Sequence, residues 1–522
     1  MPLSDSRSAY RADIDGLRAV AVIPVVFYHA GFEWFSGGYV GVDVFLVISG
    51  FLITSIIIDE IRHDAFRVSQ FYVRRARRLF PALFTVVLAS SAVALLLLMP
   101  QELEDFGESV ATTAVFASNF LFSSEAGYFD GPAELKPLLH TWSLAIEEQY
   151  YLLFPGFLVL LKRHGGARFI AATFAVFAVS LITSVLSVAY APDAAFYLLP
   201  SRTWELLLGS LLALAPPFRP GRGAREALAI TGLVLIVCAV FGFSSLTPFP
   251  GAAALVPCAG TAMVIAAGMH TDTPTRSGRA LSLRPLVFIG LCSYSLYLWH
   301  WPILVFAKHY LLRPLAPAEA LALVAASMLI AVASWRFVER PFRGAKGWFS
   351  TRGLFRFSAA LIAAAVVVGL VYDTRNGLPA RLPKQVRAIA AMSNDKPPER
   401  RHCEGISPAE VRFERLCRVS NLEVAPSFVL WGDSHAMAAL PAMRAASLHL
   451  GRNGLLAASN GCVPLLGVSR PGADPGFECV AFNAAVLRVI EAHPELTTVI
   501  LHARWARHAE GTGYADEGGE TL

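Results

Sequence analysis

Charge is what this chain has least of. Charged residues make up 16% of its 522 positions, against roughly a quarter in an average soluble domain, while 55% are hydrophobic. That balance excludes a disordered or collagen-like chain, and seven cysteines in this length are too few for a disulfide scaffold. A net charge of +5 is too weak a basic bias to imply a nucleic-acid partner. No internal repeat or low-complexity tract is evident. The first apolar run lacks a small-residue cleavage site and contains Arg18 and His29, so it reads as a retained helix rather than a signal peptide. What remains is a protein whose first solvent is the bilayer.

Long apolar runs are abundant. A spanning helix needs roughly 20 mostly apolar residues, at ~1.5 Å each across a ~30 Å core. Eleven stretches qualify: about 14–30, 39–58, 80–99, 144–161, 168–190, 197–215, 227–243, 251–268, 286–307, 316–336 and 354–372. A further stretch, about 108–122, is short and carries Ser118 and Asn119, which suits an interfacial or re-entrant helix. With the N-terminus cytoplasmic, the inner segments hold 23 basic residues and the outer loops only Lys136, Lys308 and Arg313. The outer loop from Gln101 to Ser143 adds seven acidic residues. An odd number of spans then leaves everything after about residue 373 outside.

Beyond that point the composition changes. Residues 376–424, rich in Pro, Arg and acidic side chains, read as a linker. From 425 to 522 strand-like and helical segments alternate: Phe428-Val429-Leu430-Trp431, an Ala-rich helix, Leu455-Leu456-Ala457, a second helix, and Thr498-Val499-Ile500-Leu501. Such alternation predicts a parallel α/β sheet. Cys403, Cys417, Cys462 and Cys479 all fall in this outer region, where an oxidising compartment permits pairing. Of the three possible pairings, Cys403–Cys417 with Cys462–Cys479 is favoured because each closes a short local loop.

Ionisable side chains inside spans are expensive and mark functional paths. Arg18 and His29 are eleven residues apart, close to three helical turns, so they share one face about 16 Å apart along the axis. The plain alternative is that Arg18 snorkels to lipid phosphates while His29 sits at the interface. Four arginines in five residues, Arg74, Arg75, Arg77 and Arg78, stand at the inner mouth and suit phosphate, though they serve equally as membrane-surface anchors. At the outer start of another span, Glu147 and Glu148 are adjacent, so at most one easily faces His29. A carboxylate there would orient the imidazole as a general base. Asp43, Arg202, Glu205 and His300 are further polar groups within spans, and ion pairing alone could account for them.

These residues sit in motifs that resemble the acyltransferase-3 family of bacterial membrane proteins. Asp15-Gly16-Leu17-Arg18-Ala19 through His29, Gly41-Val42-Asp43-Val44-Phe45, Arg74 to Pro81, Trp142-Ser143-Leu144 with Glu147-Glu148-Gln149, and Ser293-Tyr294-Ser295-Leu296-Tyr297-Leu298-Trp299-His300 recur in order over about residues 10–345. The resemblance implies a membrane domain over 1–345 with ten helices and an additional membrane helix within 346–375. It also implies that an acyl group, commonly acetyl, passes from cytoplasmic acyl-CoA to an extracytoplasmic carbohydrate. Arg18 and His29 would form the essential pair. Arg74, Arg75, Arg78 and Arg202 would serve the acetyl-CoA donor, and Glu147 and Glu148 would form the acidic motif. No metal is expected. The implied setting is the bacterial inner membrane, with lipids and an envelope glycan as partners and the last domain periplasmic. Lipopolysaccharide O-antigen, another surface polysaccharide or peptidoglycan would serve as acceptor. A transporter of a glycan or lipid-linked sugar is the alternative.

In the outer region, Trp431-Gly432-Asp433-Ser434-His435 follows a strand and opens a helix, where backbone amides suit an oxyanion. The block resembles the nucleophile block of the SGNH hydrolase-like fold, which makes Ser434 the candidate nucleophile and Gly461 a candidate for the second block. The late Asp-x-x-His block of that family is not met before Leu522, and His502 and His508 match no motif. The expectation is therefore a truncated sequence or, failing that, a degenerate domain.

Overall fold

The computed structural model describes residues 10–125, 133–162, 166–216, 220–269, 273–343, 350–392, 400–403, 406–468 and 479–505. The chain divides into two compact units, Met1–Arg381 and Leu382–Leu522.

The first unit is helical. In chain order it contains α1 (Ala12–His29), α2 (Gly41–Arg62), α3 (Val68–Leu97), α4 (Pro100–Ala114), α5 (Ser118–Ser124), α6 (Thr141–Lys162), α7 (Gly166–Tyr190) and α8 (Pro192–Tyr197). There follow α9 (Leu199–Leu214), α10 (Arg222–Gly242), α11 (Leu255–Ala267), α12 (Arg276–Leu281), α13 (Arg284–Leu311), α14 (Pro317–Ser334), α15 (Arg340–Arg343) and α16 (Thr351–Thr374). Among the described residues seven helical stretches are long and apolar enough to cross a membrane: Gly38–Arg62, Val68–Leu97, Arg168–Tyr190, Arg222–Gly242, Arg284–Leu311, Pro317–Arg343 and Thr351–Thr374. The other four stretches read as spans are helices too, namely α1, α6, α9 and α11. α1 and α6 carry charged side chains, and α9 and α11 are only 16 and 13 residues long. The polar stretch near 108–122 breaks into α4 and α5, with Phe116 between them at φ 56°.

Small residues let these helices approach closely, as lipid-embedded packing requires. A Cβ on Gly290 of α13 would meet the Asp15 carbonyl of α1 at 1.8 Å, and one on Gly50 of α2 would meet the Leu206 carbonyl of α9 at 1.8 Å. α1 is thereby held against α13, and α2 against α9. Those four helices, with α3 and α6, position the site.

The second unit adds α17 (Lys384–Ala391) and α18 (Arg400–Cys403), then β1 (Cys417–Arg418), β2 (Pro426–Gly432), α19 (Ser434–Leu450), β3 (Asn453–Ala458), α20 (Cys479–Ala492) and β4 (Thr498–His502). The sheet order is β1-β3-β2-β4, with β2 parallel to β3 and β4 and β1 antiparallel to β3. Alternate residues of β2 face opposite ways. Val429 and Trp431 pack with Phe482 and Val486 of α20, whereas Phe428 and Leu430 pack with Met437 and Leu440 of α19. Disulfides join Cys403 to Cys417 and Cys462 to Cys479, the pairing that short loop closure favours. One expectation is corrected: the segment read as linker up to residue 424 contributes β1, and its Val411, Leu416 and Val419 are buried in the cores on either side of the sheet. Its polar composition hid these isolated apolar anchors.

Candidate active site

A cavity of about 130 Å³ lies between α1, α2, α3, α6 and α13. Arg18, Arg75 and Arg78 line it, facing Ser49, Ser143, Glu147, Tyr151, Tyr294 and Tyr297. Arg75 and Arg78 are three residues apart and so share a face of α3. Arg75 lies over the Tyr151 ring at 5.2 Å. Arg74, one position earlier, leaves that face and pairs with Glu60 at 2.7 Å, its side chain 44% exposed. Of the three arginines assigned to donor binding on α3, the cavity therefore gathers two.

Glu147 also reaches this first cavity. It accepts a hydrogen bond from Ser49 Oγ at 2.5 Å and another from the Tyr151 hydroxyl. Glu148 does not line the cavity, and its Oε1 is buried without a hydrogen-bond partner among the described residues. The 100° step between neighbours on a helix separates the two acids, as expected.

A second cavity adjoins the first. His29, His140, Trp142, Arg202 and Trp301 line it, and it shares Val42 and Tyr297 with the first. It opens towards a larger space of about 500 Å³ that His29 also lines, together with Tyr28, Tyr39, Trp142, Phe249 and Trp301. The Tyr297 hydroxyl at the shared wall hydrogen-bonds Ser143 Oγ at 2.7 Å and donates to the His140 carbonyl at 3.0 Å. Arg18 and His29 thus lie along one path but in successive chambers.

The expected carboxylate beside His29 is absent among the described residues. Glu147 sits six residues into α6, about 9 Å from its start, which carries it past His29 to the arginine cavity. The partner of His29 is instead His300 of α13, with Nδ1 of the first 2.9 Å from Nε2 of the second. The rings stack at a centroid distance of 5.2 Å and an interplanar angle of 13°. Trp301 meets the His29 ring edge-on at 4.6 Å. His300 was visible in the sequence as a polar group within a span, but nothing local pairs positions so far apart in the chain.

Arg202 lies with His29 rather than with the other arginines. It is buried between Asp43 at 3.0 Å and Glu205 at 2.9 Å. The rings of Trp142, Phe196 and Phe249 surround it at 5.5–5.8 Å. Asp43, Glu205 and Cys258 approach one another closely enough to ligate a cation, yet the Arg202 guanidinium already supplies positive charge between the two acids.

In the second unit, the carboxyl ends of the parallel strands meet: Gly432 pairs with Ala458 on one side and His502 on the other. Ser434, half-buried, starts α19 just beyond this edge, and Asp433 caps that helix. Asp433 accepts from the His435 amide at 2.8 Å and the Arg504 amide at 3.0 Å, which ties the turn to the segment after β4. Gly461, at φ +70°, lies in the turn after β3, where Ser459 donates to the Gly432 carbonyl at 3.1 Å. The His435 and His502 rings are 6.5 Å apart. His508 lies outside the described residues.

Comparison with known proteins agrees with this architecture. The family model described as an acyltransferase domain matches residues 11–336, and a model described as an SGNH domain fused to such domains matches residues 402–522. The chain belongs to the acyltransferase-3 family and carries the SGNH appendage. It is 33% identical over 352 residues to the peptidoglycan O-acetyltransferase OatA of Listeria monocytogenes, a match covering 64% of this chain and 56% of that protein. The O-acetyltransferase OatA of Staphylococcus aureus is 34% identical over 354 residues, covering 64% of this chain and 57% of the relative. BcsY of Komagataeibacter xylinus is 33% identical over 363 residues, covering 69% of this chain and 90% of its own. The chain thus spans a little over half the length of the two OatA proteins. No solved structure matches it.

Proposed function

We propose that the protein is a membrane O-acyltransferase that carries an acyl group, acetyl from acetyl-CoA, across the inner membrane to hydroxyls of an envelope glycan. The observation that carries this reading is the pair of joined chambers, one lined by Arg18, Arg75 and Arg78 and the next by His29, with Val42 and Tyr297 common to both. An arginine cluster at the cytoplasmic mouth suits the phosphates of a CoA thioester. The pantetheine arm of the donor would then run past Tyr297 and bring the thioester carbonyl to His29.

The chemistry needs one base. His29 takes the proton of an acceptor hydroxyl as its oxygen attacks the thioester carbonyl; the new C–O bond forms, the C–S bond breaks, and the proton passes to the thiolate. Glu147, held by Ser49 and Tyr151, balances the arginine charge rather than orienting the base. Arg202 fixes the aromatic wall of the acceptor chamber. Ser434 of the periplasmic unit either receives the acyl group or guides the glycan. The OatA relatives, named as O-acetyltransferases and in one case for peptidoglycan, support acetyl as the group and peptidoglycan as one acceptor; O-antigen and other surface polysaccharides have the same hydroxyl chemistry.

The test is isotopic. Inside-out membrane vesicles from the host are given acetyl-CoA labelled in the acetyl group, and alkali-labile label on the enclosed glycan is counted. The reading predicts label that depends on His29. Label independent of His29, or acceptor movement without acylation, would overturn it.

A further inference from the structure

We infer that His300 is the positioning residue that sets the tautomer and aim of His29; this rests on the reading of His29 as base. His300 is wholly buried and engages both ring nitrogens. Its Nδ1 lies 3.1 Å from the Leu296 carbonyl one turn earlier on α13. A carbonyl oxygen only accepts, so that nitrogen carries the hydrogen. Among the described residues no carboxylate contacts either ring, and a buried imidazolium without a counter-charge is costly. His300 is therefore the neutral Nδ1–H tautomer, with its lone pair on Nε2.

The consequence passes directly to His29. Its Nδ1, 2.9 Å from that lone pair, must donate, which leaves the free lone pair of His29 on Nε2. Among the described residues nothing hydrogen-bonds that second nitrogen, and the ring lines the acceptor chamber. The orientation is reinforced from the side. Trp301 packs edge-on against the His29 ring, and its own indole N–H is fixed by the Lys136 carbonyl at 2.8 Å. When His29 gains a proton at Nε2, the Nδ1–H bond to neutral His300 becomes charge-assisted and strengthens. A histidine thus does here what a carboxylate does in the Ser-His-Asp arrangement, fixing the tautomer without adding a buried negative charge.

The experiment places each variant as the only copy in the native host and measures ester-linked acyl groups newly added to envelope glycan per unit of membrane-inserted protein. His300→Leu keeps the bulk and loses the acceptor; it is expected to reduce acylation about 100-fold, the scale of losing a supporting hydrogen bond to a working histidine. His300→Gln offers Oε1 to the same Nδ1–H and is expected to recover at least tenfold over His300→Leu. Recovery separates positioning from simple packing, because Leu and Gln fill similar space. Native-like acylation in His300→Leu, or His300→Gln as inactive as His300→Leu, overturns the inference. His29→Ala is the reference: if it acylates normally the base assignment fails and His300 falls with it, whereas a silent His29→Ala beside an active His300→Leu removes only the claim about His300.

Discussion

Arg18 and His29 stand on the same face of one helix yet line different chambers, with Val42 and Tyr297 forming the wall between. Substitutions at the two should therefore separate kinetically. If Arg18 grips the donor as proposed, Arg18→Ala should raise the acetyl-CoA KM about 10- to 100-fold. His29→Ala should leave that KM near native and lower the maximal rate by about 10²- to 10⁴-fold, the usual worth of a general base. Initial rates of label transfer in inside-out vesicles over a range of acetyl-CoA distinguish the two.

The basic run on α3 should divide by face. Arg75→Ala and Arg78→Ala each remove a guanidinium that lines the first chamber and should weaken donor binding by about tenfold or more. Arg74→Ala breaks only a partly exposed pair with Glu60, worth about 0–1 kcal/mol, and should leave transfer near native. The acetyl-CoA KM of the three variants, measured side by side, checks this.

Arg202 should matter to folding before chemistry. Its removal leaves Asp43 and Glu205 buried and unpaired, a change that typically costs about 3–5 kcal/mol. Arg202→Ala is therefore expected to lower the thermal midpoint in detergent and the amount of protein in the membrane. Asp43→Asn with Arg202 retained should cost less, since Glu205 still pairs with the guanidinium.

The second unit should depend on its cross-links. Cys403–Cys417 and Cys462–Cys479 close loops with separations of 14 and 17 residues, and loops of this length are worth about 3 kcal/mol each. Cys403→Ser and Cys462→Ser should each lower the unfolding midpoint of that unit by a comparable amount. Protease susceptibility of the detergent-purified protein, with and without reductant, reports it.

Much of this was legible from local pattern, because hydrophobic period and turn chemistry act over short distances. The runs at Phe428–Trp431, Leu455–Ala457 and Thr498–Leu501 lie within β2, β3 and β4, and short loop closure favoured the observed disulfide pairing. Helical spacing also placed Arg18 and His29 on one path and split Glu147 from Glu148. What could not be read was which side chains meet across helices. Periodicity assigns a face but not the partner against it, so a carboxylate was expected beside His29 where His300, 271 positions away, provides the contact. The same limit hid the withdrawal of Arg74 from the cavity, whereas the ion pairing read for Asp43, Arg202 and Glu205 is what the structure shows. The segment before β2 was missed for a different reason: its few buried apolar residues are too widely spaced to form a run.

The central claim is that acyl transfer to envelope glycan depends on His29 as its base. Its most direct test is mass spectrometry of that glycan from cells lacking the protein, cells carrying the native chain and cells carrying His29→Ala at equal membrane abundance. The account predicts ester-linked acyl groups with the native chain and their loss in both other strains. Equal acylation in all three strains, or native levels with His29→Ala, would contradict it.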